Sequence, residues 1–133
     1  MDEKQEIERI LREYFESETG SKEEAEKLIL ALAEITKDEG AKLVHLGNVL
    51  FLVLVRGEGV VEIHTLGNEP NPRDLAKDFI DLANYLKNIE VKTAYTYTED
   101  NRFDRLAKMT GLPVKQFKED IEGKLMNVYV MEF

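Results

Sequence analysis

The spacing of hydrophobic residues along the chain changes near residue 40. Before that point apolar residues recur three and four positions apart, and beyond it they mostly alternate with a period of two. The first pattern predicts an amphipathic helix over residues 3–16 and a second helix beginning at Ser21, where Ser21 and Glu24 form a capping box. Gly40 suits a left-handed helix stop. The chain therefore begins with a helical segment, and the period of two predicts a sheet-containing body after it.

Three short strands are predicted to follow the helical segment as an antiparallel meander. They cover residues 41–46, 49–55 and 60–66, and the middle one is apolar at every position, which is typical of a strand covered on both faces. Gly47-Asn48 fits a two-residue hairpin turn, because both residues tolerate a positive φ. Residues 56–59 form the second turn.

A well-marked helix comes next, and the strand after it is expected to run parallel to the strand before it. Asn71 suits the N-cap and Pro72 the first helical position, and Asn88 ends the helix. A strand is predicted over residues 91–98. A right-handed β-α-β crossover would make this strand parallel to the strand over residues 60–66.

The last elements are a short helix and a hairpin. The helix is predicted from about Asp100 to Met109, with Thr110-Gly111 as its stop. Residues 114–121 and 124–133 can pair as a terminal hairpin, although the apolar spacing within 114–121 fits a helix as well. This element order predicts a mixed α+β fold, in which a mostly antiparallel central sheet has one parallel crossover and helices on both faces.

The charge is concentrated in the N-terminal segment. The 133 residues carry 27 acidic and 18 basic side chains, a net charge of −9, and residues 1–40 alone account for −7. This balance disfavours a nucleic-acid partner, which needs a basic surface. The absence of cysteine excludes disulfides and thiol chemistry. The charged start and the short apolar runs predict a cytoplasmic protein without a membrane partner. We expect a single domain over residues 1–133, in which an acidic helical segment over 1–40 is attached to a sheet-helix body over 41–133.

From residue 41 onward the element order resembles the GNAT superfamily of N-acyltransferases. The resemblance rests on the meander ending in Gly59-Val60-Val61-Glu62-Ile63-His64, on the loop from Gly67 to Asn71 before a helix, and on the stretch from Thr98 to Leu112. Short, divergent members of the kind carried by phages are the most similar in pattern. The resemblance implies acetyl-CoA as cosubstrate and an amine-bearing small molecule or a basic protein as acceptor. For a phage protein, the host cytoplasm or the virion would be the location.

The resemblance also implies a set of cofactor contacts. In this superfamily the strand corresponding to residues 60–66 pairs its exposed backbone with the pantetheine amides, and the pyrophosphate lies at the N-terminus of the next helix. The residues of this chain that fall at such positions are Ile63, Thr65, Gly67, Asn68, Asn71, Arg73 and Asn101. Asn101 has an alternative interpretation as an ordinary first-turn residue of its helix.

The loop and the late helix depart from the superfamily pattern. Glu69 places an acid where a phosphate is expected, and Pro70 and Pro72 each remove an amide donor. Four residues before Gly111, where many members carry a tyrosine that protonates the departing thiolate, this chain has Ala107. These departures favour a second hypothesis, in which the protein is a catalytically inactive phage module with the GNAT fold that binds a virion or host partner.

Catalytic candidates lie on two strands. Glu62 and His64 share one face of the strand over residues 60–66 and could act as general base toward an amine, or they could be the ordinary polar face of a half-exposed strand. Tyr97, like Tyr95, could act as a general acid or line the substrate cleft, or it could simply pack a sheet face. The two histidines, His45 and His64, lack metal-ligand spacing, so no metal site is predicted.

Overall fold

The computed structural model describes residues 2–133 as ten elements in the order α-α-β-β-β-α-β-α-β-β. Their bounds in chain order are α1 Glu3–Thr19, α2 Lys22–Ile35, β1 Ala41–Leu46, β2 Val49–Gly57, β3 Val60–Leu66, α3 Pro72–Asn88, β4 Thr93–Thr98, α4 Arg102–Thr110, β5 Val114–Ile121 and β6 Lys124–Glu132. The mixed α+β class predicted from the sequence is confirmed.

All six strands form one sheet in the order β1-β2-β3-β4-β6-β5. Every neighbouring pair is antiparallel except β3 and β4, which are parallel, as the crossover through α3 predicts. That parallel pairing is short. It joins Val60 with Thr93, Val61 with Ala94 and Glu62 with Tyr95, and it goes no further although both strands continue.

Each face of the sheet has its own hydrophobic core. On one face α3 packs on the apolar side chains of the strands, with Phe51 and Leu86 among the most buried residues. On the other face α1 and α2 cover the first three strands around Leu50 and Leu66. Because successive strand residues point to opposite faces, the fully apolar β2 serves both cores. Helices therefore lie on both faces, as predicted.

Several predicted boundaries were wrong, at helix ends and also at strand ends, since β2 continues to Gly57 beyond the predicted end at residue 55. The first helix continues to Thr19 and is stopped by Gly20 with φ 70°. The second helix ends at Ile35 with Thr36 as its C-cap, and Gly40 is not in the left-handed region. The Ser21 side chain accepts a hydrogen bond from the Glu24 amide, which is one of the two hydrogen bonds of the predicted capping box.

The strand interpretation of residues 114–121 is confirmed. β5 pairs with β6 along its whole length, and Glu122 and Gly123 turn the chain between them with positive φ. Local apolar spacing could not distinguish strand from helix, because the partner strand lies further along the chain. β4 begins at Thr93, two residues later than predicted, since Val91 and Lys92 still belong to the connection from α3.

Candidate active site

The distinctive feature of the sheet is the gap that opens between β3 and β4. Beyond the Glu62–Tyr95 pair the two parallel strands separate, and residues 63–66 have no strand partner on that edge within residues 2–133. Their main-chain N–H and C=O groups on that edge are therefore available to a ligand. An extended ligand that carries amides can add to such an edge as a further strand would.

A polar cluster, which we call the Glu62 corner, sits where the strands begin to separate. It consists of Arg56, Glu62, His64, Tyr95 and Tyr97. Glu62 is only 6% exposed, and its carboxylate accepts hydrogen bonds from Arg56 Nε at 3.2 Å, from Tyr95 Oη at 3.1 Å and from His64 Nε2. A buried carboxylate with three donors is well satisfied.

These donors determine the ionisation of the corner. Burial alone would raise the pKa of Glu62, but the hydrogen bonds from His64, Arg56 and Tyr95 outweigh it, so the pKa of Glu62 is lowered. Burial, followed by the hydrogen bond to Glu62, raises the pKa of Tyr95. At neutral pH the corner therefore holds an anionic Glu62 and a neutral Tyr95.

His64 is the more accessible partner in the corner. Its side chain is 34% exposed against 8% for Glu62, and its ring stands edge-on to Tyr97 with the centroids 6.0 Å apart. A carboxylate can only accept, so the hydrogen on Nε2 of neutral His64 points to Glu62 and the lone pair is on Nδ1. The arrangement is that of a base oriented by a carboxylate.

On the opposite face of the sheet, next to the same gap, lies an apolar cavity of about 90 Å³. Ile63 on β3 and Thr96 on β4 contribute to its walls, and Phe79 on α3 meets Phe103 on α4 with ring centroids 5.9 Å apart. Ala107 also lines it. The cavity can hold a small acyl group next to the free edge of β3.

The β3–α3 junction, residues 67–73, follows the end of β3 and leads into α3. Asn71 caps α3, because its side chain accepts from the Arg73 amide at 2.9 Å and its main-chain oxygen accepts from the Asp74 and Leu75 amides at 3.1 Å each. Pro72 has no amide hydrogen. The first turn of α3 therefore has its amides already partnered or missing.

The acid of this junction is itself engaged. Glu69 accepts from the main-chain and side-chain nitrogens of Asn48 at 3.3 Å each and lies beside Asp78, a residue of α3 that is 6% exposed. Burial first, and then the Glu69 charge, raise the pKa of Asp78 to about 6. Gly47 leaves room for this carboxyl, since an added Cβ would lie 2.7 Å from Asp78 Oδ1. The junction is thus tied to the β1–β2 turn through the Glu69 carboxylate, and the Asp78 carboxyl is packed against the same turn.

Comparison with known proteins identifies the architecture. No protein-family model matches the chain, and no curated protein matches it significantly. Solved structures do match. A protein described as a ribosomal-protein-serine acetyltransferase from Vibrio cholerae superposes with a TM-score of 0.69 at 14% identity, covering 99% of this chain and 89% of that one. AAC(6')-Ib, bound to ribostamycin and coenzyme A, gives 0.63 at 15% identity, covering 99% and 90%.

A third match is the PaiA N-acetyltransferase from Thermoplasma acidophilum in complex with coenzyme A, with a TM-score of 0.58 at 10% identity, covering 97% of this chain and 92% of that one. The chain has the GNAT fold. The short parallel pairing of β3 with β4 and the gap beyond it agree with what the resemblance implied for these strands.

Within the GNAT fold, the predicted site residues fall into two groups. Glu62, His64 and Tyr97 are brought together in the corner. The predicted cofactor contacts lie elsewhere; these are Ile63 and Thr65 on the free part of β3, Gly67, Asn68, Asn71 and Arg73 in the junction and the start of α3, and Asn101 just before α4. Their contact with a cofactor stays a prediction.

Two of these residues have structural surroundings of their own. Gly67 has φ 110°, and an added Cβ would meet Ile10 at 2.9 Å and the Asn48 carbonyl oxygen at 3.1 Å, so the glycine is required by packing at this position. Asn101 is exposed and its side chain makes no capping hydrogen bond, because Asp100 caps the Arg102 amide instead. The Asn101 side chain is thus available to a ligand.

Arg56 is the member of the corner that sequence reasoning missed. It lies at a β-bulge between Val55 and Gly57, where the register of β2 against β3 shifts. A bulge re-aims a side chain, and here it accompanies the contact of Arg56 with Glu62. The predicted hairpin places Arg56 near Glu62 in the sequence, but the pattern of residues 56–59 predicted only a turn and no contact of the Arg56 side chain.

Neither a metal site nor a membrane span is found in the part of the chain that the structure describes. Residues 2–133 contain no group of three His, Asp or Glu side chains that could hold a metal ion. The four helices described there are also too short or too polar to cross a bilayer.

Proposed function

We propose that this protein is an N-acyltransferase that transfers an acetyl group from acetyl-CoA to an amine acceptor. The observation that carries the proposal is the position of the Glu62–His64 pair at the point where β3 and β4 separate. A base oriented by a carboxylate, next to an unpaired strand edge, suits an amine that attacks a thioester held along that edge. Three solved structures with the same fold were described with coenzyme A bound, which supports the choice of donor.

In this proposal His64 is the catalytic base. Nδ1 of His64 accepts the proton that the amine loses as its nitrogen bonds to the acyl carbon, and Glu62 is the positioning residue that fixes the ring through Nε2. Tyr97 limits the motion of the ring through its edge contact. Glu62 would assist as a charge partner of the imidazolium and would not itself take the proton, because its donors keep it anionic.

The donor would lie along the free edge of β3. Acetyl-CoA supplies an acetyl group activated as a thioester, and we assign its pantetheine amides to the main chain of Ile63 and Thr65 and its thioester to the point where β3 and β4 separate, beside His64. Asn101 is a further side chain that we expect to contact it. No residue takes the place of a thiolate-protonating tyrosine at Ala107, so the leaving thiolate would take its proton from water.

The acceptor would approach the Glu62 corner from the side of α1 and α2. Residues 1–40 have a net charge of −7, and an anionic surface attracts cationic amines. Among structures with the same fold, one is described as a spermidine N-acetyltransferase and another as bound to the aminoglycoside ribostamycin. We therefore propose a small polycationic amine, or a basic protein segment, as the acceptor.

The second candidate function is a catalytically inactive binding module with the GNAT fold. The observation in its favour is the β3–α3 junction, where the amides of the first helical turn are capped and Glu69 stands where a phosphate would lie. In that case the Glu62 corner would be a structural polar cluster.

The decisive test is acetyl transfer itself. The purified chain is mixed with acetyl-CoA and a panel of polyamines, aminoglycosides and lysine peptides, and thiol release and acceptor mass are followed. We expect turnover that falls about 100-fold or more in His64→Gln, the typical contribution of a general base. His45→Gln is the matched control, because this second histidine lies on β1, separated from β3 by β2.

The outcomes separate the two candidates. Turnover that depends on His64 but not on His45 supports the acyltransferase. No turnover, together with no rise in melting temperature at high acetyl-CoA concentration, supports the binding module, since any ligand of the native state must stabilise it.

A further inference from the structure

The β3–α3 junction does not fit the diphosphate of coenzyme A. Anions bind at a helix N-terminus because its first amides have no partner there. At α3 Pro72 has no amide hydrogen, the Arg73 amide donates to the Asn71 side chain at 2.9 Å, and the Asp74 amide donates to the Asn71 carbonyl at 3.1 Å. The N-terminal amides of α3, which would be expected to bind the phosphates, are therefore already hydrogen-bonded within the protein or missing.

The surroundings of that helix end do not compensate for the missing donors. The remaining loop amides flank Glu69, whose carboxylate is held in place by the two nitrogens of Asn48 at 3.3 Å. Over residues 67–77 the charges balance, with Glu69 and Asp74 against Arg73 and Lys77. A diphosphate would meet no net positive charge there, and the side chain that is fixed by hydrogen bonds in this loop, Glu69, is an acid.

The pantetheine part of the donor meets different conditions. The edge of β3 over residues 63–66 has no strand partner within the described chain, and the apolar cavity of about 90 Å³ adjoins it. The free edge suits the amides of a pantetheine arm and the apolar cavity suits its hydrocarbon parts, and neither feature involves a phosphate.

We propose that this protein selects its acyl donor by the pantetheine arm alone, so that the nucleotide of coenzyme A contributes little to binding or rate. The donor class is then acyl-pantetheine thioesters in general, of which acetyl-CoA is one. This inference rests on the proposed acyltransferase function and specifies the donor for the same site.

The test compares acetyl-CoA with S-acetylpantetheine, which lacks the nucleotide. We expect their kcat/KM values to agree within about tenfold, whereas a working diphosphate site should favour acetyl-CoA by about 100-fold or more. The KM for acetyl-CoA should also change less than about twofold between about 20 mM and about 200 mM salt, because no charged cradle is being screened. A large preference for acetyl-CoA, or a KM that rises steeply with salt, overturns the inference.

A charge-neutral variant sharpens the comparison. Glu69→Gln should raise kcat/KM for acetyl-CoA a few-fold and leave S-acetylpantetheine unchanged, because only the diphosphate meets this carboxylate. Glu58→Gln, at the β2–β3 turn on the far end of β3, is the matched control. A fall in the acetyl-CoA rate in Glu69→Gln contradicts the inference.

Failure of the proposed function can be distinguished from failure of this inference. If neither donor is turned over, calorimetric titration with coenzyme A and with pantetheine decides the matter. Similar affinities support recognition by the pantetheine arm without catalysis. An affinity for coenzyme A about 100-fold greater, or no binding of either compound, overturns it.

Discussion

The Glu62 corner lies in the middle of β3 and the β3–α3 junction follows the end of that strand, and the two treat their polar groups in opposite ways. In the corner, a buried carboxylate is surrounded by donors and its most accessible partner, His64, keeps a free ring nitrogen. In the junction, donors that a ligand would need are already used, and two acids share a poorly solvated space. The corner keeps a ring nitrogen free, whereas the junction uses its donors within the protein.

The largest effect is expected from the corner. Glu62→Gln should lower kcat about 100-fold with little change in the KM of either substrate, because the ring of His64 loses the anion that orients it and stabilises its charged form. Steady-state kinetics with both substrates measures the split. Glu58→Gln, an exposed acid of the preceding turn, should leave kcat unchanged.

A rise in the KM of the acceptor with kcat preserved would contradict this assignment. Glu62 would then be a binding group for the amine, and the contrast between the Glu62 corner and the β3–α3 junction would no longer be one of catalysis against structure.

The next effect concerns stability at the junction. The folded-state pKa of Asp78 is about 6, above its ordinary value of 3.8, so its contribution to stability is present at low pH and is lost as the pH rises through about 6. As the pH rises from about 4 to about 8, the free energy of unfolding of Asp78→Asn should therefore increase by about 2 to 3 kcal/mol relative to that of the native chain. Urea unfolding at several pH values measures this difference.

Glu119→Gln is the control for that titration. It removes one negative charge at an exposed position of β5 that does not contribute to the raised pKa of Asp78, so its effect should vary little with pH. An equal pH dependence in both variants would mean that overall acidity, rather than the buried carboxyl, determines the pH profile.

A smaller effect tests whether the cap of α3 serves folding or the donor. Asn71→Ala should lower the free energy of unfolding by about 1 kcal/mol, the usual value of an N-cap, and leave the KM of acetyl-CoA unchanged. Asn88→Ala, an exposed asparagine at the other end of the same helix, should be neutral in both respects. A stable Asn71→Ala variant with weakened donor binding would restore the predicted cofactor role of this residue.

The smallest effect is expected on the other side of the gap. Asn101→Ala should leave stability within about 0.5 kcal/mol, since its side chain makes no cap, and should raise the KM of acetyl-CoA and of S-acetylpantetheine equally, by about two- to tenfold for one hydrogen bond. Kinetics with both donors measures this. A rise for acetyl-CoA alone would show that Asn101 contacts the nucleotide.

Local patterns were sufficient for much of the fold. β1 and β3 have the predicted bounds, Asn71 caps α3 with Pro72 at its first position, and the parallel direction of β4 followed from the crossover. These features depend on turn chemistry and chain connectivity, which a sequence displays directly.

Features that depend on distant partners were less accessible. The spacing of residues 114–121 fitted helix and strand equally, and only pairing with β6 decides between them. The contact of Arg56 with Glu62 needs a bulge, and the position of Asp78 beside Glu69 needs the packing of α3 against the β1–β2 turn. Glu62 and His64 were recognisable as a pair because a period of two places them on one face.

The three-residue pairing of β3 with β4 also has a mechanical consequence. It is the only strand pairing that joins β1-β2-β3 to β4-β6-β5 within residues 2–133, and each of the other four pairings is at least six residues long. Local opening follows the regions with fewest interactions. The sheet should therefore separate first between β3 and β4, and amide exchange at Val61 and Tyr95 should precede exchange in the middle of β2.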